Sequence, residues 1–320
     1  MANTYAQGRA NNIADNKTGI NTAEYYERNL LENAREKFIV SNFTAKKTTP
    51  QYEGKGVIFS YQKNIPIFDT PLVEGAAQGA GSTIEKVNVR GTFEAYGDFV
   101  TYTDDLDIYG EDGARFKKQT TSNLGGAAGQ TQETLLINSM VASNTEITFN
   151  TDLPTTLDDA EESLREALAT KFKAMITGST NYSTEPIAAA YVGFVSIKGA
   201  RLLKTMDGWI PVRKYGYSDG LLPNEIGSYE GLRVCESTLV PQKLGSTPVE
   251  QMLVLGEEAL AEVGIRGMKK VETILKPLGS AGTADSLNRE GSLGSKFRMV
   301  ALVLRPDWIT QVELESGYAA

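Results

Sequence analysis

Apolar and polar residues alternate over an unusually long stretch of the chain, residues 83–104. This period of two predicts a β-strand with one apolar face. The apolar positions are Val87, Val89, Phe93, Ala95 and Phe99, and the polar positions are Lys86, Asn88, Arg90, Thr92, Glu94 and Asp98. At ~3.3 Å per residue the run would span roughly 70 Å, several times the usual strand length. We therefore expect a strand too long for its own domain to bury.

A partner strand precedes this run, because Val57, Phe59 and Tyr61, then Ile65 and Ile67, also alternate. Residues 69–82, between the two runs, form a loop of small residues. An isolated two-stranded ribbon is only marginally stable in water, so we expect the hairpin to lie on another copy of the chain. Replacing Phe93 or Phe99 with Asp is then expected to destroy folding.

Residues 111–141 are predicted to form a helix ~45 Å long, at 1.5 Å per residue. Its expected stripe, spaced by three and four, is Leu124, Ala128, Thr131, Leu135 and Asn138. Gly125, Gly126 and Gly129 lie beside it. Since each glycine costs about 1 kcal/mol in a helix interior, they indicate either close approach of another backbone or a kink.

A break at residues 144–154 suggests a domain boundary. Thr156 is predicted to cap the next helix, whose buried line would be Leu157, Leu164, Leu168 and Met175. Later strands are expected at residues 188–195, 225–229, 232–236, 249–255, 271–275, 297–304 and 308–314. Short helices are expected at residues 197–203 and 257–263.

The first 20 residues are rich in Asn, Ala and Gly and read as an arm that orders only against a neighbour. Asn21 and Glu24 resemble a capping box. Tyr26, Leu30, Ala34 and Phe38 then recur every four residues, which predicts a short amphipathic helix. Its apolar stripe fits either its own subunit or the next one.

The amino-acid composition argues against several classes of function. The formal net charge of −8 argues against strong nucleic-acid binding, which depends on clustered Lys and Arg. The absence of histidine removes the usual general base and the commonest metal ligand. The single cysteine, Cys235, permits no intramolecular disulfide and is interpreted as a packed thiol. No apolar run of ~18 residues and no secretory signal pattern are present, so we expect a protein made and assembled in a cytoplasm.

Two local motifs suggest chemistry but have simpler explanations. Acidic residues crowd residues 104–112, and Asp105, Asp107 and Gly110 match part of a calcium loop. Tyr109 and Phe116 replace two required ligands, so we interpret the acids as satisfying a helix N-terminus. Residues 216–220 spell G-x-S-x-G, but the serine of a hydrolase needs a histidine. We expect no cofactor and no metal.

Six short motifs, in order, resemble the major capsid proteins of short-tailed and related tailed bacteriophages. They lie at residues 30–37, 71–75, 94–104, 224–227, 231–238 and 284–296. The resemblance covers roughly residues 21–316. It implies an α+β fold of the Hong Kong 97 capsid type.

On this resemblance the chain would divide into five parts. They are an N-terminal arm with a short helix (1–53), an extended hairpin loop (54–104), the spine helix of a peripheral domain (105–145), an axial domain (146–294) and strands that return to the peripheral domain (295–320). Family members return at this point, and Trp308, Thr310, Val312 and Leu314 on one face fit a strand packed on the spine helix.

The function implied is a structural one, in which the chain self-assembles into the icosahedral head around double-stranded phage DNA. Expected partners are other copies in hexamers and pentamers, a separate scaffolding protein and a portal, with a cement protein left open and no membrane. The candidates for contact between subunits are Lys86, Arg90, Glu94, Asp98, Pro71, Glu74, Tyr26 and Leu30. An encapsulin-like compartment and a glycoside hydrolase that uses paired carboxylates are the alternatives.

Overall fold

Pairing between distant strands organises the chain into two large sheets and a separate two-stranded ribbon. The computed structural model describes residues 38–65, 67, 74, 82–109, 113–142, 145–172, 189–215, 221–243, 248–268, 271–280, 282 and 285–314. All of them belong to one compact unit, Arg35–Ala320.

The described strands are β1 (Ala45–Thr49), β2 (Gly56–Gln62), β3 (Lys86–Thr92), β4 (Glu94–Thr103), β5 (Thr145–Ile147), β6 (Tyr191–Val195), β7 (Ile210–Pro211), β8 (Glu225–Tyr229), β9 (Leu232–Glu236), β10 (Gln251–Leu255), β11 (Leu260–Ile265), β12 (Glu272–Lys276), β13 (Glu290–Val303) and β14 (Ile309–Glu313). The helices are α1 (Asp104–Tyr109), α2 (Gly113–Val141), α3 (Leu153–Glu166) and α4 (Ile197–Lys204), with 3₁₀ turns at Val40–Phe43, Val212–Lys214 and Pro306–Trp308.

The larger sheet has the order β5-β14-β10-β6-β9-β8-β7. Helix α2 covers one face through Leu136 and Met140, and α3 and α4 cover the other through Leu157 and Leu203. Strands β6 and β10 are therefore buried at every residue. A central strand with both faces covered has an almost continuous apolar sequence, which explains why these strands were correctly predicted.

The smaller sheet is organised around β13, which pairs with β11, β12 and β4, while β1 adds to β11 in parallel. Helix α2 packs on its inner face, where Leu124 joins Tyr102 and Leu293 in a buried cluster. The Ser295 hydroxyl donates to the Leu124 carbonyl at 3.4 Å. The long helix thus lies against both sheets and links them.

The long alternating run divides into two strands at Phe93. The first, β3, pairs with β2 in the ribbon, but β4 pairs along its own subunit with residues 290–299 of β13. The expectation that the whole run exceeds its own domain is therefore wrong for β4. Pairing between residues nearly two hundred positions apart leaves no local signal, so alternation alone could not reveal it.

The side-chain faces also change at this point. In β3, Val87 and Val89 are half-buried and the residues between them exposed, as predicted. In β4 the inward residues are Tyr96, Val100 and Tyr102, with Tyr96 stacked on Phe297 at 5.5 Å between ring centroids. Phe99 is 67% exposed. Phe93 lies between the strands and shifts the alternation, so the single apolar face predicted for the run is wrong.

Phe93 and Phe99 should consequently respond differently to the same substitution. Phe93 is 5% exposed in a cluster with Val57 and Val300, and Phe93→Asp is expected to destabilise the protein by about 3–5 kcal/mol, since it deletes a core aromatic and buries a charge. Phe99→Asp should cost less than about 1 kcal/mol. Urea unfolding followed by circular dichroism compares the two, and equal losses would contradict the assignment of faces.

Helix α2 was correctly predicted in position, but its buried stripe was only partly right. Leu124 and Ala128 are buried, whereas Thr131 and Asn138 are exposed and Leu135 is half-buried. The buried residues farther along are Gln132, Glu133, Leu136, Ile137 and Met140. Glu133 is buried because it accepts backbone N–H groups from residues 39–41, a contact that the hydrophobic period does not reveal, whereas the buried Oε1 of Gln132 has no hydrogen-bond partner among the described residues.

One helix glycine is explained by a close contact. A Cβ at position 129 would overlap the ring of Phe38. The approaching group is an aromatic side chain rather than the second backbone that we expected. At Gly125 a Cβ would have nothing within 4 Å, so this contact does not account for that glycine.

Helix α3 begins earlier than predicted. Its cap is Asp152, whose Oδ1 accepts the Thr155 N–H at 2.9 Å. Thr156, the predicted cap, is inside the helix and donates its hydroxyl to the Asp152 carbonyl at 2.7 Å. The helix ends at Glu166, and Leu168 has a left-handed φ of 55° and is exposed. Its predicted place in the buried line is wrong.

Two further predictions need correction. The helix expected at residues 257–263 is instead strand β11, because it pairs with β13 and buries Leu260, Ala261 and Val263. Strand β14 has the predicted position, but Val312 and Leu314 pack in the cluster of α3 and α4. Its opposite face, through Ile309, meets the long helix α2.

The remaining predicted elements α4, β6, β8, β9, β10, β12 and the end of β13 are confirmed. The five-part domain division stays a prediction. Strand β13 runs without a break across the predicted domain boundary between residues 294 and 295. Strand β14 belongs to the seven-stranded sheet. Residues 1–37 of the predicted arm and the G-x-S-x-G motif lie outside the described residues, whereas residues 38–53 contain the 3₁₀ turn Val40–Phe43 and β1.

Candidate assembly surface

The β2–β3 ribbon is held at one end by the smaller sheet. Val57 and Phe93 pack with Val300 and Leu302 in one buried cluster. A Cβ on Gly91 would lie 2.6 Å from Cγ1 of Val300, so glycine permits the close approach of β3 to β13. Beyond the paired strands the ribbon continues, since the Lys63 N–H donates to the Glu85 carbonyl at 2.9 Å.

Away from this base the ribbon exposes isoleucines. Ile58, Ile65, Ile67 and Ile84 have 55%, 48%, 91% and 64% of their surface exposed. Single exposed apolar residues are ordinary, but apolar side chains clustered on one element mark a surface that another molecule covers. Their burial by a partner would contribute about 1.5–3 kcal/mol per side chain.

The four charged candidates, Lys86, Arg90, Glu94 and Asp98, are all exposed, and the ion pairs recorded between described residues include none of them. Lys86 and Arg90 lie on the exposed side of β3. Glu94 and Asp98 lie on the side of β4 that carries Tyr96, whose hydroxyl donates to Glu94 at 2.9 Å. Burial, and then Glu94, raise the pKa of Tyr96. The run therefore carries two charged surfaces of opposite sign rather than one mixed face.

Among the other candidates, Glu74 is exposed. Pro71, Tyr26 and Leu30 lie outside the described residues. Contact of any of the eight with another subunit stays a prediction.

An arginine that the sequence did not single out explains part of the acidic cluster. Arg289, just before β13, donates through Nε to Asp104 at 3.2 Å and through a terminal nitrogen to Asp105 at 2.8 Å. Asp104 also accepts the Asp105 N–H at 3.0 Å. These contacts join the start of α1 to the residue before β13. Gly110 and the side chain of Asp107, which belong to the partial calcium-loop match, lie outside what the structure describes. Glu111 and Asp112 lie outside the described residues.

A buried carboxylate joins the start of the described chain to the long helix. Glu133 of α2 is 3% exposed and accepts the backbone N–H groups of Ile39, Val40 at 2.8 Å and Ser41 at 3.0 Å. Burial raises the pKa of Glu133, and these donors oppose the shift. The contact fixes the start of the described chain on α2. A glutamate in an amphipathic helix gives no sequence signal for this role.

The other charged groups suited to catalysis have structural partners. Glu161 pairs with Arg165 at 2.6 Å and Lys171 at 2.8 Å. Glu225 and Arg233, each 1% exposed, form a buried ion pair at 2.5 Å. Burial strongly raises the pKa of the Cys235 thiol, which therefore stays protonated at neutral pH. These arrangements favour structural roles for the described carboxylates and the thiol.

In the part of the chain that the structure describes, three or more metal-ligating side chains do not converge anywhere. None of its described helices combines the length and the apolar character needed to cross a membrane.

Comparison with known proteins gives matches in structure alone. No family model and no curated protein matches the sequence. The capsid of Ralstonia phage GP4 matches with a TM-score of 0.65 and 12% identity, covering 94% of this chain and 98% of that one. The acid-stable capsid of Helicobacter pylori bacteriophage KHP30 gives 0.63 and 12%, covering 94% and 96%. The mature capsid of bacteriophage PhiM1 gives 0.59 and 17%, covering 92% of both. At such identities the likeness establishes the fold, and the predicted α+β phage capsid fold is confirmed.

Proposed function

We propose that this chain is the major capsid protein of a bacteriophage and polymerises into the icosahedral shell that encloses double-stranded DNA. The observation that carries the proposal is the capsid fold, which extends over more than nine-tenths of both this chain and its structural neighbours. A fold alone does not fix a function. The ribbon supplies the second argument, since its exposed isoleucines are the kind of surface that a neighbouring subunit would cover.

Assembly on this proposal is geometric rather than enzymatic. Each ribbon lies across an adjoining subunit, and many modest contacts add up over a shell of identical copies. The cations Lys86 and Arg90 meet acidic groups on a neighbour, and the anions Glu94 and Asp98 meet basic ones. Exposed ion pairs contribute only ~0–1 kcal/mol each, so they set the register of the contact more than its strength.

The proposal includes the finer organisation expected from the sequence. Copies form hexamers and pentamers, residues 1–53 act as an arm, and residues 146–294 act as the axial domain. A separate scaffolding protein and a portal take part, and the particles are assembled in the host cytoplasm. Glu133 fixes residues 39–41 on α2 of the same subunit, and β1 pairs with β11, so on this proposal residues 1–37 are the part of the stretch that reaches a neighbour.

Expression of the chain alone, followed by sedimentation and negative-stain microscopy, tests the function. We expect closed shells or capsomers of hexameric and pentameric shape. A preparation that stays monomeric at high concentration would contradict the proposal. Shells that enclose a co-purifying protein would indicate a cargo compartment instead.

A further inference from the structure

A basic cavity lies at the β7 edge of the seven-stranded sheet, away from the ribbon base. It has a volume of about 500 Å³. Lys204, in the last turn of α4, and Arg213 and Lys214, in the 3₁₀ turn after β7, supply its charge. Trp209 and Ile226 supply apolar wall.

The polar side chains of this cavity are donors. Trp209 is 8% exposed, and its Nε1 has no hydrogen-bond partner within the described residues. Lys204 pairs with the half-buried carboxylate of Glu236 at 3.4 Å. Arg213 and Lys214 take part in none of the ion pairs recorded between described residues. Because the Lys and Arg side chains accept no hydrogen bonds, the complementary ligand is an anion rich in acceptor oxygens.

A second copy of the chain provides such groups. The sequence has 40 acidic against 32 basic residues, so identical subunits repel one another unless local surfaces are complementary. Helix α3 exposes Glu162 and Glu166, one turn apart and ~6 Å along the axis. Among the described residues, Glu162 and Glu166 form no ion pair, and the neighbouring Arg165 pairs with Glu161 instead. Two carboxylates at this spacing suit the adjacent cations of the cavity.

We propose that the cavity binds the exposed acidic side of α3, at Glu162 and Glu166, on a second copy of the chain. The inference rests on the proposed shell function and names one of its contacts. It joins two different surfaces of the same molecule, and a contact of this kind repeats from copy to copy and forms a ring when the rotation between copies closes. Nucleic acid is a different occupant, and the experiment below distinguishes it.

Charge reversal with rescue tests the contact. Arg213→Glu with Lys214→Glu, and separately Glu162→Lys with Glu166→Lys, should each lower the yield of assembled particles at least tenfold. All four substitutions in one chain should restore assembly, since they exchange the two charges. Sedimentation gives the yield, and a thermal melt of the unassembled protein checks the fold. Lys46→Glu with Lys47→Glu, on exposed positions of β1, is the matched control and should not be rescued by the α3 reversal.

Each outcome decides a different claim. Normal particles from the reversed cavity overturn the contact and leave the shell function standing, as does failure of the four substitutions to restore assembly. A wild-type chain that never assembles overturns the shell function and this contact with it. Particles that form normally but no longer retain DNA would assign the cavity to nucleic acid.

Discussion

Glu225→Ala is expected to destabilise the protein by about 3–5 kcal/mol, because it leaves Arg233 charged and buried without its partner. The carboxylate accepts from Arg233 Nε at 2.8 Å, the Tyr215 hydroxyl at 3.0 Å and the Leu222 N–H at 2.8 Å. Both charged side chains are 1% exposed, so water cannot replace the missing oxygens. A loss of this size is a large share of a typical domain stability of roughly 5–15 kcal/mol.

Cys235 offers a direct measurement of this loss. It is the single cysteine of the chain and is fully buried beside the ion pair in β9. A thiol reagent therefore reports opening of this sheet. Labelling of Glu225→Ala should be roughly 10²- to 4 × 10³-fold faster than in the wild type, following the expected loss of stability at ~1.4 kcal/mol per tenfold change.

Glu272→Ala is the matched control, because Glu272 pairs with Lys296 at 3.3 Å with both side chains about half exposed. It should cost less than about 1 kcal/mol. Glu225→Leu combined with Arg233→Met should recover part of the stability, since an apolar pair of similar volume replaces the two charges. The recovery is incomplete because the Tyr215 hydroxyl and the Leu222 N–H lose their acceptor. Equal labelling rates for Glu225→Ala and the control would show that the buried pair does not hold the sheet.

The hairpin that carries this pair shows what the sequence could and could not predict. Strands β8 and β9 were predicted with their observed bounds, because their apolar runs and the turn at Glu230 and Gly231 are local signals. The pairing of Glu225 with Arg233 was not predicted. A charged residue in a half-buried strand usually faces water, so its burial depends on the helices and loops that close over the sheet.

The same division between local and distant causes explains the errors. Residues 257–263 were predicted to form a helix, but residues 260–263 pair with β13 and form part of strand β11. Phe99 is exposed although it continues the alternation of Val87 and Val89, since β4 leaves the ribbon to join β13. For the assembly surface, the sequence predicted the β2–β3 ribbon, its alternation and its charged positions. The separation of those charges over two strands followed from the break at Phe93.

Ile67→Asp combined with Ile84→Asp is expected to abolish shell assembly and leave the subunit fold unchanged. Both side chains are already mostly in water, with 91% and 64% of their surface exposed, so the free energy of unfolding should change by less than about 0.5 kcal/mol each. If a neighbour buries both, the substitution removes about 3–6 kcal/mol from every ribbon contact. That weakens each contact roughly 10²- to 10⁴-fold, and the loss recurs at every subunit of the shell.

Sedimentation and negative-stain microscopy measure assembly, and the rate of Cys235 labelling measures the fold. Leu287→Asp is the matched control, because Leu287 is 79% exposed and lies outside both the arm and the ribbon, and its shells should form normally. Normal shells from the double isoleucine variant would show that the ribbon is not the assembly surface. Faster Cys235 labelling in that variant would place the isoleucines against their own subunit instead. Loss of shells with unchanged labelling is the result that only a covering neighbour explains, since the subunit itself then has nothing to lose.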